Sequence, residues 1–395
     1  MRLRATSAVL AALIVGFAGS ASATAHQVPP PAPAPTDSGN SPAAPDPHPP
    51  RGGLDPRGLP VGGERLLSRT LVAPKGAPSL PTDLTARAWT VFDLDTGAVI
   101  AARDPHGRYQ PASIQKILTT VALLPILPGT RHVVVSKNAA ETEGSHAGLV
   151  GGGTYTIDQL FEGLLLVSGN DCAEALAEAA GGRVATVTLM NRTALELGAA
   201  DTYIQTPSGL DGWQQLTSAY DMSLFLRAAL QQPRFARYDT IAKGTLPAQP
   251  AHGVGTVALY NQNKQFLTTV KGALAAKTGF TDAAQHTFAG AITRNGHRYG
   301  VILMRAQRYP DDQWVQAAEL VRWAAALPPG TAPVGHLDTQ PVLPKSSNAA
   351  RLAQQQATAA RSAQSSGFPL WAWLWIGVLV VVGLAVARIT VRRRV

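Results

Sequence analysis

Residues 88–124 read AWTVFDLDTGAVIAARDPHGRYQPASIQKILTTVALL. Two short apolar runs, 89–92 and 98–101, flank Asp93-Leu94-Asp95-Thr96-Gly97, a composition suited to a tight turn, so the segment predicts strand–turn–strand. From Ser113 the period changes. Ile114, Ile117, Leu118, Val121 and Leu124 recur at helical spacing, and Pro125 and Pro128 end the pattern. Further on, Thr156-Ile157-Asp158-Gln159 has the form of a capping box ahead of Leu160, Leu164 and Leu165. Residues 287–293 and 297–304 surround Asn295-Gly296, a strong hairpin signal. A last helix is predicted from about Asp311, with Trp314, Ala317, Leu320, Val321 and Ala324 on its apolar side. Strands at both ends with helices between them predict an α/β (α+β) domain on an antiparallel sheet.

These signals occupy residues 81–328, enough chain for one domain with a large core. Outside them the composition shifts. Of the 30 prolines, 12 fall between Pro29 and Pro60, so residues 26–80 read as an extended Pro/Ala/Gly linker. Residues 329–367 read as a second linker, a stalk ending in Ala/Gln/Ser-rich sequence. Residues 1–25 have the form of a secretory signal. Arg2 and Arg4 precede a short apolar core, and Ala21-Ser22-Ala23 and Ala23-Thr24-Ala25 are small-x-small cleavage patterns. Residues 368–387 carry no charge over roughly the length that crosses a bilayer. Trp371, Trp373 and Trp375 sit at their start, and Arg388, Arg392, Arg393 and Arg394 follow. The expectation is one transmembrane helix with a basic cytoplasmic tail, 388–395, and the domain on the outer side.

The net charge is +9, and the six arginines of the signal and the tail carry most of it. The remainder is too small to predict a nucleic-acid surface. The single cysteine, Cys172, rules out an internal disulfide framework and is expected in the core. Nine histidines show no metal-binding spacing, so neither a metal nor a cofactor is expected.

The chemistry resides in three short motifs. In Ser113-Ile114-Gln115-Lys116, helical spacing lets the serine hydroxyl meet the lysine amine, and a desolvated lysine can act as base. A helix start would add backbone N–H groups for a developing oxyanion. Ser168-Gly169-Asn170 places a hydroxyl and an amide two residues apart, suited to proton relay and to binding a peptide backbone. Lys277-Thr278-Gly279 offers a cation and a hydroxyl to a carboxylate, with a glycine for close approach. Each motif is weak alone. Together they stand in the order Ser-x-x-Lys, Ser-x-Asn, Lys-Thr-Gly, spaced 55 and 109 residues apart, the set found in penicillin-binding proteins and class A β-lactamases.

With these motifs, residues 88–306 resemble the D-alanyl-D-alanine carboxypeptidases, the low-molecular-mass penicillin-binding proteins. The likeness extends to 93–97, Tyr109-Gln110-Pro111-Ala112-Ser113, Met190-Asn191 with Glu196-Leu197-Gly198, Thr206-Pro207-Ser208-Gly209-Leu210-Asp211, and Asn261-Gln262-Asn263-Lys264. The resemblance implies an antiparallel five-stranded sheet flanked by helices, the penicillin-binding protein/β-lactamase-like transpeptidase fold. It implies Ser113 as nucleophile, Lys116 as base and Ser168 as proton relay. Asn170 would orient the substrate, and Lys277 and Thr278 would hold its terminal carboxylate. Gly279 would allow close approach, and the N–H groups of Ser113 and Phe280 would form the oxyanion hole. The implied partners are a peptidoglycan stem peptide ending in D-Ala-D-Ala and β-lactam inhibitors. With the terminal helix, the expected place is the cell membrane, wall side.

Departures from the family pattern are few. Phe280 stands where many relatives have tyrosine or histidine, and Gln285-His286 replaces a Gly-Tyr-Cys-like segment. His286 is expected to be structural, and Trp213 to border the cleft. A class A β-lactamase would add a Glu-x-x-Leu-Asn segment, and neither Glu174, Glu178 nor Glu196 heads one. A D,D-endopeptidase and a non-catalytic penicillin-sensing wall module stay open as alternatives.

Overall fold

The computed structural model describes residues 52–338. The signal at 1–25, the transmembrane helix at 368–387 and the tail at 388–395 lie outside the described residues. Among the described residues, no helix is long and apolar enough to cross a membrane.

The described chain begins with a 3-10 turn (Glu64–Leu67), strand β1 (Leu71–Val72) and the hairpin of β2 (Ala88–Asp93) and β3 (Ala98–Arg103). A second 3-10 turn, Ala112–Gln115, leads into α1 (Lys116–Leu123). Strand β4 (His132–Val134), α2 (Lys137–Ala140) and β5 (Thr154–Thr156) precede a run of helices. These are α3 (Ile157–Leu166), α4 (Asn170–Ala179), α5 (Arg183–Glu196), α6 (Ala219–Leu230) and α7 (Pro233–Thr240). The hairpin of β6 (Lys243–Leu246) and β7 (Val257–Tyr260) and helix α8 (Lys264–Thr269) come next. The long strands β8 (Ala273–Thr281), β9 (Gln285–Arg294) and β10 (His297–Ala306) follow, then α9 (Gln313–Ala325) and β11 (Gly335–His336).

The main sheet is antiparallel throughout, and its long strands run β3-β2-β10-β9-β8. Among the described residues it has seven strands where five were expected. The two additions, β1 and β11, are two residues long and both pair with the outer edge of β3. An open edge presents unpaired N–H and C=O groups, and these short pieces cover it. They also correct both linker boundaries. Part of the 26–80 segment is folded, with Val61, Leu66 and Val72 buried. Its apolar residues follow no period, so no sequence pattern announces it. Contacts far along the chain hold it instead: Gly53 N donates to Asp201 Oδ1 at 2.9 Å, and His106 Nε2 lies 3.1 Å from the Val61 carbonyl oxygen. The expected stalk likewise starts on the sheet, where Val334 N donates to Val99 O at 2.8 Å.

Both faces of the sheet are covered, which explains why β2 reads as an almost unbroken apolar run. By pleat alternation, Trp89, Val91, Val301, Leu303, Phe288 and Ile292 face a layer formed by α9, where Ala317, Leu320, Val321 and Ala324 are buried as the periodicity predicts. Phe92, Ile302, Met304 and Ala289 face the larger helical layer. Helix α1 lies within that layer and is buried on all sides, polar residues included. Its one-sided apolar period therefore understates its burial. The Asn295-Gly296 hairpin forms as predicted, with both residues at positive φ, 51° and 81°. So does the capping box: Gln159 N donates to Thr156 Oγ1 at 3.2 Å, and Thr156 N to Gln159 Oε1 at 2.9 Å. Thr156→Ala should cost about 1 kcal/mol, read as a lower denaturation midpoint in urea with unchanged reactivity of Ser113.

Candidate active site

The site is built on the 3-10 turn before α1. The expected helix from Ser113 is this turn, and the α-helix proper begins at Lys116. Ala112 has φ +48°, rare for a residue with a Cβ, and its neighbours impose that shape. Thr287 Oγ1 donates to Pro111 O at 3.0 Å. A Cβ at Gly209 would stand 2.1 Å from Ala112 O, and one at Gly279 would stand 2.7 Å from Ser113 N. Two glycines thus let two backbone segments close on the turn and aim Ser113.

Lys116 Nζ lies 3.0 Å from Ser113 Oγ, 2.7 Å from Asn170 Oδ1 and 2.6 Å from Ser208 O. Lys116 is fully buried. Burial first, and then the positive charge of Lys277, hold its pKa well below the usual lysine range. The three partners match a neutral amine. Two N–H bonds go to the amide and carbonyl oxygens, and the lone pair is left to receive the serine proton.

Ser168 sits between α3 and α4, buried and at φ +60°. The start of α4 is held from below by Asp171, whose buried carboxylate accepts the N–H groups of Ala147, Gly148 and Leu149 at 3.0 Å each. Asn170 Nδ2 donates to Glu143 O at 2.8 Å, which turns Oδ1 toward Lys116. Lys277, 1% exposed, donates from Nζ to Ser168 Oγ at 3.0 Å and to Thr278 O at 2.8 Å. Burial lowers its pKa to about 8, partly opposed by the negative charge of Asp239.

Strand β8 closes the site with its outer edge. Lys277 pairs with Ala289 and Gly279 with Thr287, so both face the Ser113 turn. Thr278 pairs with Phe288 and Phe280 with His286, which puts their side chains on the other pleat. Thr278 is half-buried there and lines a cavity of about 200 Å³ with Asn263, His286 and Phe288. Phe280 is 54% exposed and rests on His286, ring centroids 4.6 Å apart. The fold therefore brings together Ser113, Lys116, Ser168, Asn170, Lys277 and the backbone at Gly279, while the Thr278 side chain stands apart at the strand edge. Trp213 is 83% exposed on the 205–215 loop. That loop is tied to β8 by Thr281 Oγ1 donating to Asp211 Oδ1 at 2.6 Å. Cys172 is buried, and burial pushes its thiol pKa well up, so it is no nucleophile. Among the described residues no cluster of His, Cys, Asp or Glu could hold a metal ion.

Sequence reasoning assigned no part to the Ser208 carbonyl, Gly209, Asp171 or Asp239. The run 206–211 stood out as a motif, but a carbonyl acceptor and a close approach have no side-chain signature. What the assembly can do is acyl transfer: a partly exposed hydroxyl, an amine of lowered basicity 3.0 Å from it and a buried lysine hydrogen-bonded to Ser168.

Residues 75–308 match the family model of the D-alanyl-D-alanine carboxypeptidases. The D-alanyl-D-alanine carboxypeptidase DacB2 of Mycobacterium tuberculosis is 39% identical over 274 residues, 67% of this chain and 90% of that protein. DacF of Bacillus subtilis is 27% identical over 256 residues, and the match spans 62% of its length. A crystal structure of a D-alanyl-D-alanine carboxypeptidase from Mycobacterium tuberculosis H37Rv superposes with a TM-score of 0.64 at 38% identity, covering 67% of this chain and 99% of that one. The Streptomyces K15 DD-transpeptidase has a TM-score of 0.59 at 23% identity over 63% of this chain and all of that one, a likeness of fold.

Gly209→Ala should disturb the turn, because the new Cβ meets Ala112 O in a conformation that L side chains rarely adopt. At a strain of about 1–3 kcal/mol, Ser113 should react at least about fivefold more slowly with a serine-directed acylating probe. Gly58→Ala, where φ is also positive but nothing is near, should leave that rate unchanged.

Proposed function

The chain belongs to the D-alanyl-D-alanine carboxypeptidase family of serine peptidases, and from that premise we propose a reaction that proceeds through an acyl-enzyme on Ser113. The observation that carries this reading is the 3.0 Å approach of Lys116 Nζ to Ser113 Oγ, with the other partners of the amine already filled. Ser113 Oγ attacks the carbonyl between the two terminal D-alanines of a peptidoglycan stem pentapeptide, and Lys116 takes its proton. The oxyanion is stabilised by the N–H groups of Ser113 and Phe280. Ser168, in contact with Lys277, relays to the leaving amine the proton that Lys116 took from Ser113, so free D-alanine departs and Lys116 is neutral again. Lys277 holds the terminal carboxylate, with the Thr278 hydroxyl reaching it from the strand edge, and Asn170 orients the peptide backbone. Water then attacks the acyl-enzyme, Lys116 accepting its proton and handing it to Ser113 Oγ as the acyl group leaves, which restores both residues. β-Lactams acylate the same serine.

The glutamates argue for slow β-lactam turnover. Glu174 pairs with Arg183 at 3.1 Å, Glu178 accepts from Ser136, and Glu196 pairs with Arg192. None is left over to activate a deacylating water as a class A β-lactamase requires.

The location is part of the same reading. Residues 1–25 export the chain, 368–387 anchor it, and the catalytic domain works on the wall side of the cell membrane. The described residues end at Asp338, and residues 339–367, if extended, would give the tether a reach of about 100 Å. Removing residues 368–395 should move the protein from the membrane fraction to the soluble fraction, and a truncated protein that stays in the membrane would overturn the anchor.

Incubation of the protein with a pentapeptide ending in D-Ala-D-Ala should release free D-alanine, and Ser113→Ala should release none. Absence of release by the unaltered protein would sink the reading. Its kcat/KM should fall as pH rises through about 8, because Lys277 then loses the proton that holds the carboxylate. It should also fall on acidification, as Lys116 gains a proton and stops being a base.

A further inference from the structure

Asp239 stands in the last turn of α7, 1% exposed. Local rules disfavour a carboxylate there twice. Burial penalises its charge, and the C-terminal end of a helix favours cations. A residue that breaks local rules in a well-packed place invites a functional account.

Its surroundings provide one. Asp239 Oδ2 accepts the N–H of Ala276 at 2.7 Å, while Oδ1 is buried without a hydrogen-bond partner. The main chain beside it is immobilised, since Asn261 Nδ2 donates to Asp239 O at 2.8 Å and to Ile241 O at 3.0 Å. Ala276 adjoins Lys277 in β8. Alternate N–H groups of an edge strand point the same way, so Ala276 N–H, which Asp239 takes, and Phe280 N–H, offered to the oxyanion, belong to one outward row.

We propose that Asp239 is a positioning residue for this reaction, pinning the outer edge of β8 at Ala276 and serving as the counter-charge of Lys277. It touches neither substrate nor the reacting atoms and acts through its neighbour. The inference rests on the acyl-transfer reading of the site. A purely structural acceptor for Ala276 N–H could be an asparagine, which would avoid burying a charge. The carboxylate is what the two-lysine site needs. Lys116 and Lys277 repel each other, and the site works with one neutral and one cationic. A negative charge beside Lys277 decides which keeps its proton. Lys277⁺ in turn helps to keep Lys116 neutral.

Among the described residues, Lys277 is the charged group that bears on Asp239. From α3, Asp158 is engaged by Arg234, Arg237 and Tyr238, and the carboxyl of Glu162 has its pKa raised by burial. From α6, Arg227 reaches Leu94 O, and Asp221 accepts from Asp201 N and Thr202. From β8 there is Lys277. On the other side of Lys277 stands Lys116, and beyond it Glu174, paired with Arg183. Burial raises the pKa of Asp239 to about 7, with the Ala276 bond and Lys277 pulling it down, which leaves room for both charges between about 7 and 8.

The test is Asp239→Asn, which keeps an oxygen for Ala276 N–H and removes the charge. Its thermal midpoint and the pH dependence of kcat/KM for D-alanine release are compared with the unaltered protein. The alkaline limb should move down by about one pH unit, the size expected for losing one nearby opposite charge. KM should rise several-fold above pH 7, with kcat near pH 6.5 within about twofold. An active, folded variant whose limb stays in place overturns the proposal. If the unaltered protein releases no D-alanine, the reaction reading fails, and the charge pair is judged without turnover. In the unaltered protein, NMR titration of the Asp239 carboxyl carbon and the Lys277 amine, the latter assigned with Lys277→Arg, should show Asp239 ionising before Lys277 loses its proton. An Asp239 carboxyl that stays protonated until Lys277 is neutral overturns the counter-charge. That measurement also decides the matter if Asp239→Asn does not fold.

Discussion

A lysine amine buried beneath a serine hydroxyl is the constraint around which the domain is arranged. A charged ammonium with no exposure is costly, and a neutral amine in the same place needs a partner for each hydrogen and for its lone pair. Asn170 Oδ1, Ser208 O and Ser113 Oγ meet that need for Lys116. Each comes from a different stretch of chain, so the requirement ties α1, α4 and the 205–215 loop into one unit. The same contacts leave the lone pair of the amine facing the serine hydroxyl.

The sheet contributes the opposite wall, and it can do so because β8 is an edge strand. Its inner side is paired with β9, which leaves the outer N–H row for other uses. Asp239 takes one position of that row, and Gly279 lets the turn at Ser113 approach the backbone within a distance no side chain would allow. The far edge of the sheet is closed by two short strands from near the two ends of the described residues. One edge is thus sealed for stability, and the other is kept open for chemistry.

Much of this was legible in the residues. The β2–β3 hairpin, the Asn295-Gly296 hairpin, the Thr156 capping box and the apolar face of α9 are local features, set by turn chemistry and periodicity, and they stand where the patterns put them. The motif residues Ser113, Lys116, Ser168, Asn170 and Lys277 converge. Less legible were elements whose stability is non-local. Residues 52–80 fold through Asp201, His106 and the edge of β3, partners far along the chain, and a Pro-rich composition masks them. The turn at Ser113 packs against the backbone at Gly209 and Gly279, both distant in sequence.

By itself, the sequence determined which groups were available for chemistry: one Ser-x-x-Lys, one Lys-Thr-Gly, Ser-x-Asn sets after apolar runs at both Ser136 and Ser168, and a single cysteine beside the latter. Side-chain identity and short-range spacing suffice for that, because i, i+3 neighbours on a helix meet whatever the fold. Only the tertiary structure decided their states. Burial and the nearness of two lysines separate the roles of Lys116 and Lys277, strand pleat parts Thr278 from Lys277, and a carboxylate from α7 stands behind the strand that carries them. Those outcomes depend on desolvation and on distances between charges remote in sequence, quantities that no local pattern encodes.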